Sequence, residues 1–134
     1  MDQQPVPDIG DQLRQLSDEL TLPKPGECLL CYTYRMLEFG CNGLVWARRY
    51  RDVAAPRATA LEDRLAAKGG YCDCEIFANG YEPNADLWDP RGYCEEHQPD
   101  PLPPCQQVRP GSTQPCRLWR PRWRPPGGRI YRWW

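Results

Sequence analysis

The sequence predicts a small, mainly helical α+β domain held together by metal, with an irregular proline-rich extension behind it. Three observations carry that expectation. Apolar residues recur at helical spacing through the first seventy residues, the cysteines come in close pairs, and periodicity stops near residue 83. Eleven of the sixteen Pro lie in 83–134, where no Lys occurs. With 134 residues, two Phe and a mean hydropathy of -0.77, the chain has little apolar material for a core, so a metal or another staple would help.

In chain order, residues 1–7 hold two Pro and no pattern, and read as a flexible arm. From Asp8 to Leu22, Leu13, Leu16 and Leu20 share one helix face, and Pro23 and Pro25 end the helix. A second helix is expected over Cys28–Phe39, with Leu30, Tyr34, Leu37 and Cys41 on one stripe and Gly40 as its stop. Leu44 to Val53 gives a third through Trp46, Tyr50 and Val53, with Arg48, Arg49 and Arg51 on a solvated face. Pro56 suits the first turn of a fourth, whose inner stripe is Ala58, Leu61 and Leu65 and whose end is Gly69-Gly70. Tyr71 to Asn79 alternates as a strand, with Tyr71, Asp73, Glu75 and Phe77 on one side and Cys72, Cys74, Ile76 and Ala78 on the other. Four regions follow: the arm 1–7, a helical cysteine-rich zinc domain 8–82, a Pro-rich segment 83–116, and an Arg/Trp-rich tail 117–134.

Eight Cys in a chain without a basic, apolar leader or a membrane-length apolar run point to a cytoplasmic protein whose thiols bind metal or do redox work. Cys28 and Cys31 at a helix start, with Cys72 and Cys74 on an extended segment, supply four thiolates for one tetrahedral zinc. Cys41 is an alternate ligand. Cys94, His97, Cys105 and Cys116 form a candidate second zinc set with spacings of no standard finger. An all-thiolate cage is closed, and no phosphate loop, nucleophile triad or paired-carboxylate pattern accompanies it, so catalytic residues are not assigned. A thioredoxin-like active site is disfavoured because no strand precedes Cys28.

At Gly69-Gly70-Tyr71-Cys72-Asp73-Cys74-Glu75-Ile76-Phe77-Ala78-Asn79 the chain resembles a family of small bacterial domains known only as a domain of unknown function, over about residues 27–82. Cys41-Asn42-Gly43-Leu44 is similar to the helix-opening Cys of that family. Members often carry His two residues after it, where this chain has Gly43. The resemblance implies a fold and a metal site, and the departure at Gly43 suggests that Cys28 and Cys31 complete the ligand set. It implies no activity.

Charge divides the chain. Residues 1–100 hold all eighteen acids and carry a net -8, whereas 101–134 carry seven Arg and no acid. The tail interleaves Arg117, Arg120, Arg122, Arg124, Arg129 and Arg132 with Trp119, Trp123, Tyr131, Trp133 and Trp134. Arg neutralises phosphate and aromatic rings stack on unpaired bases, so RNA, single-stranded DNA or a protein surface is the expected partner, the acidic body of the chain itself included. Pro121, Pro125 and Pro126 rule out a continuous amphipathic membrane helix. The function expected is a non-enzymatic zinc-binding interaction or regulatory module. The alternative is a thiol-based redox or zinc-responsive switch, with a metal-dependent enzyme third.

Overall fold

The computed structural model describes residues 8–88, 90 and 101–122. It bears out the small, mainly helical α+β class. The elements are α1 (Ile9–Leu20), α2 (Leu29–Met36), α3 (Val45–Ala54), α4 (Leu61–Ala67), the single turn α5 (Asp73–Glu75), β1 (Tyr81–Pro83) and β2 (Trp119–Pro121). A 3-10 turn at Leu37–Phe39 extends α2, and a π turn at Ile76–Gly80 extends α5. The strands pair antiparallel, Tyr81 with Pro121 and Pro83 with Trp119.

Helix α2 is the centre of the molecule. Leu29, Leu30, Cys31, Tyr32, Thr33 and Met36 are all buried along its eight residues. It packs on α3, which contributes Ala47 and Tyr50, while α4 adds Leu61 and Leu65 and the π turn adds Ile76. Its start is fixed by a polar clamp. Arg35 donates two hydrogen bonds to the carboxylate of Glu27, at 2.6 and 2.8 Å, and a third to the Leu22 carbonyl. Glu27 is 6% exposed, so the paired charges replace the water it has lost. The Glu27 carboxylate in turn holds Arg35 above the usual guanidinium range.

Helix α1 behaves differently. It forms over nearly the expected span, yet none of its residues is buried, and Ile9, Leu13, Leu16 and Leu20 form an exposed stripe. Only its C-terminal end meets the body, where Tyr32 and Arg49 donate to the Thr21 carbonyl. Arg49 is therefore not simply solvated. Arg48 and Arg51 likewise share the Glu62 carboxylate, linking α3 to α4.

Two expected elements are corrected. Pro56 does not open the fourth helix: successive short turns, Ala58 N–H to Ala55 C=O and Leu61 N–H to Ala58 C=O, carry the chain to a helix that starts at Leu61. Those turns let both Ala55 and Leu61 reach the core. The expected strand Tyr71–Asn79 is instead α5 and the π turn, and extended backbone begins only at Tyr81. Asp73, Ile76 and Gly80 are buried at i, i+3, i+7, a helical spacing hidden beneath the apparent alternation. Gly70 sits at that junction because the Gly70 N–H bonds the Leu65 carbonyl and a Cβ there would press within 3.1 Å of Ile76.

The described residues of the Pro-rich segment and the first six of the Arg/Trp-rich stretch pack on the helical body. Trp88, Cys116, Leu118 and Trp119 all join the core. Asn84 N–H bonds the Leu118 carbonyl, Arg120 pairs with Glu82, and Arg122 donates to the Phe77 carbonyl. Trp119 stacks among Tyr34, Phe77 and Trp88, with ring centroids 5.0 to 5.4 Å away. Trp119 is thus a core residue and unavailable to bases. Residues 117–122 belong to the body.

Candidate metal centre

The cysteines gather into two groups, and their membership differs from the expected one. Cys28, Cys31, Cys105 and Cys116 form one, and Cys41, Cys72 and Cys74 the other; within each group the sulfurs lie within 4.8 Å of one another. The expected pairing of Cys28 and Cys31 with Cys72 and Cys74 does not form. The start of α2 faces the returning segment 105–119, whereas α5 lies beside the loop before α3, which carries Cys41. Cys105 and Cys116, expected to join Cys94 and His97, complete the first group; Cys94 and His97 fall outside the described residues. So do Trp123, Arg124, Arg129, Tyr131, Arg132, Trp133 and Trp134.

The four-sulfur group is built from two facing turns. Cys28 is the N-cap of α2, and its sulfur accepts the Cys31 N–H at 3.3 Å. The Cys28 N–H reaches across to Cys105 Sγ at 3.2 Å, and Gln107 N–H also donates to that sulfur at 3.4 Å. Gln107 achieves this with a φ of 75°, in the left-handed region unusual for a residue with a Cβ. Opposite it Gly26 also has a φ of 75°, donors and acceptors match through Val108 N–H to Gly26 C=O, and a Cβ on Gly26 would overlap the Gln107 amide. Trp119 closes the group, its indole N–H donating to Cys31 Sγ at 3.4 Å. The Tyr50 hydroxyl lies 2.8 Å from the Glu27 carbonyl and 3.0 Å from that of Ser112, so it tethers the two segments behind the sulfurs.

Four N–H groups therefore point at these sulfurs, the arrangement that stabilises thiolates in a ligand set. Cys28, Cys31 and Cys116 are buried, and Cys105 is half-buried beside a cavity that Cys31 also lines. Cys31 Sγ lies 3.6 Å from Cys116 Sγ, close to the roughly 3.8 Å between two sulfurs of one tetrahedral ion with metal–sulfur bonds of about 2.3 Å. Hydrogen bonds from Cys28 and Cys31 lower the Cys116 thiol, and the same contacts with Cys116 raise Cys28 and Cys31. The donor set, its burial and its spacing fit a metal ion.

In the second group Cys41 and Cys74 are exposed and Cys72 is half-buried. The residue between the two neighbouring cysteines does the positioning. Asp73 is fully buried, and its carboxylate accepts the backbone N–H groups of Trp46 at 2.9 Å and Ala47 at 3.1 Å. These are orphan donors at the start of α3, whose own N-cap residue, Leu44, offers no side-chain acceptor. Asp73 thus caps α3 from a distance, with its charge at the favourable end of the helix dipole. Its own N–H bonds the Gly43 carbonyl at 2.8 Å, which places Cys72 and Cys74 beside Cys41. Burial raises the Asp73 carboxyl above the usual range, and the two N–H groups oppose that shift. The expected strand set Asp73 on the side opposite Cys72 and Cys74; in the helical turn that forms instead, its carboxylate is buried against the start of α3. The local signal was a helix start with no capping residue of its own.

Fold and site together define a small cysteine-rich α+β protein with two clusters able to hold metal ions. Residues 29–79 match the model of the family described as protein of unknown function DUF2695. The matched segment contains all three sulfurs of the second group but only Cys31 of the first. No curated protein and no solved structure matches the chain. Among the described residues no helix is long and apolar enough to cross a membrane.

Proposed function

We propose that the protein is a non-enzymatic interaction or regulatory module whose fold is fastened by one zinc ion on Cys28, Cys31, Cys105 and Cys116. Its residues beyond 122 contact a polyanionic partner, foremost single-stranded RNA. The observation that carries the reading is the largely buried, N–H-lined four-sulfur cage. Such a set favours zinc by ligand softness and geometry, and holds it without an open position for chemistry. Zinc in that cage joins the start of α2 to the segment that delivers β2, so the metal organises the surface rather than reacting on it.

Native mass spectrometry tests the metal directly. The full chain should retain zinc, and Cys28→Ser should lose the tightly bound ion. Protein that carries no zinc, with Cys28 and Cys31 cycling between dithiol and disulfide, would instead favour a thiol switch. The partner is tested by comparing the full chain with a 1–122 truncation, which keeps β2 and Trp119. Residues 123–134 hold three Arg, three Trp and one Tyr. Binding of single-stranded RNA by the full chain should weaken with salt at a log–log slope of about -2 if three phosphates are neutralised. Equal affinities for the two forms would sink the RNA assignment.

A further inference from the structure

We infer that Cys41, Cys72 and Cys74 form a second metal site, open to solvent, for a thiophilic divalent ion such as zinc, with the Glu75 carboxylate as its displaceable fourth ligand. Two segments, the loop that runs from Cys41 into α3 and the turn that carries Cys72 and Cys74, meet at this point through bonds that involve no residue of the buried cage. The loop carrying Cys41 is held by the Asp73 N–H bond to Gly43, and α3 is held by the Asp73 carboxylate. On the far side, Asn79 donates to the Gly69 carbonyl and so closes the turn that carries Cys72 and Cys74. A sulfur trio fixed by a buried carboxylate and backbone bonds is preorganised for an ion, because little chain freedom is lost when the ion binds.

The donors are close enough to share one ion once Cys72 and Cys74 open by about 0.6 Å toward the roughly 3.8 Å of a tetrahedral pair. Cys72 Sγ and Cys74 Sγ lie 3.2 Å apart, and all three sulfurs fall within 4.8 Å of one another. Glu75 Oε1 lies 3.6 Å from Cys72 Sγ. A sulfur and an oxygen on one tetrahedral zinc are separated by about 3.5 Å, given metal–sulfur and metal–oxygen bonds of about 2.3 and 2.0 Å. Glu75 Oε1 approaches Cys72 but is not within 4.8 Å of all three sulfurs, so it must turn toward them to complete the set, while Cys41 and Cys74 are exposed to solvent. This exposure is what separates the two sites: the buried cage keeps its ion, whereas the three-sulfur site exchanges it.

Cobalt(II) titration of the full chain under reducing conditions provides the test, since sulfur-to-cobalt charge-transfer absorption grows with the number of Co–S bonds. Two equivalents should bind, with charge-transfer intensities near a 4:3 ratio. The variant Cys41→Ser/Cys72→Ser/Cys74→Ser should bind one, and its remaining spectrum, unchanged from the four-sulfur equivalent, shows that the fold is intact. Glu75→Ala should keep both equivalents but bind the second at least tenfold more weakly, and a competing chelator should strip the second ion at least tenfold faster than the first. A single equivalent in the unmodified chain that persists in the triple substitution would overturn the site, as would a second equivalent that survives that substitution, or a Cys72–Cys74 disulfide in its place. An unaltered second affinity in Glu75→Ala would overturn the carboxylate's role. Because the buried cage is titrated in the same experiment and depends on different cysteines, its failure would be read separately.

Discussion

Replacing Cys31 with serine is expected to cost the protein its tightly held metal ion and about 4 kcal/mol of stability. The sulfur lies at the middle of the four-sulfur group, 3.6 Å from Cys116 and capped by the Trp119 indole N–H. It is also only 1% exposed, so a serine hydroxyl would be left among buried sulfurs without their softness for the ion. The magnitude follows from topology. Cys31 and Cys116 are 85 positions apart, and a cross-link closing a loop of that length removes about 4.5 kcal/mol of chain entropy from the unfolded state. That is a large share of the roughly 5–15 kcal/mol by which a domain is stable. Thermal unfolding followed by circular dichroism, with metal content measured on the same sample, checks it. A strong chelator should lower the midpoint of the unmodified protein to a similar degree. An unchanged midpoint with unchanged metal content would contradict the assignment of Cys31.

The second large effect is expected at Trp119. Its ring is 4% exposed and meets Tyr34, Phe77 and Trp88 at centroid distances of 5.0 to 5.4 Å. Trp119→Ala should cost about 3–5 kcal/mol by emptying that aromatic core. It also undocks β2 from β1 and uncovers the Cys31 sulfur. Trp119→Phe separates the two roles. The smaller ring restores most of the packing but donates no hydrogen bond, so it should lose about 1 kcal/mol and still release metal to a chelator faster than the unmodified chain. Urea unfolding and chelator-release kinetics on both variants distinguish these outcomes. If Trp119→Ala unfolds at the same urea concentration as the unmodified protein, the C-terminal segment is not part of the core.

How much of this was legible in the sequence depends on whether local pattern or long-range geometry decides the feature. Helices α1, α2, α3 and α4 follow from apolar spacing, which is a property of neighbouring residues. The closeness of Cys28 to Cys31, and of Cys72 to Cys74, likewise shows in their spacing. Which pair meets which other cysteines does not, because the partners lie tens of residues away and nothing local distinguishes Cys105 from Cys72 as the companion of Cys28. Asp73 illustrates the same limit: its carboxylate looks like one polar position in an alternating strand until α3 is placed against it. Composition misled at residues 117–122. Arg, Pro and Trp there resemble a tail for nucleic acid, yet Leu118 and Trp119, two and three residues after Cys116, are the apolar pair that carries the chain into the core, and Glu82 supplies the counter-charge for Arg120.

The bridge between the start of α2 and the segment before β2 also alters how the molecule would bear a load. With a metal ion on the proposed cage, tension applied to the chain on either side of it would pass from Cys28 and Cys31 to Cys105 and Cys116 through sulfur–metal bonds. Helices α3 and α4 and the three-sulfur group lie inside the shunted stretch and would be spared it. A partner pulling on the residues beyond 122 would strain the short pairing of β2 with β1 first and the metal bridge next. The helical body would keep its shape until one of those bonds parted.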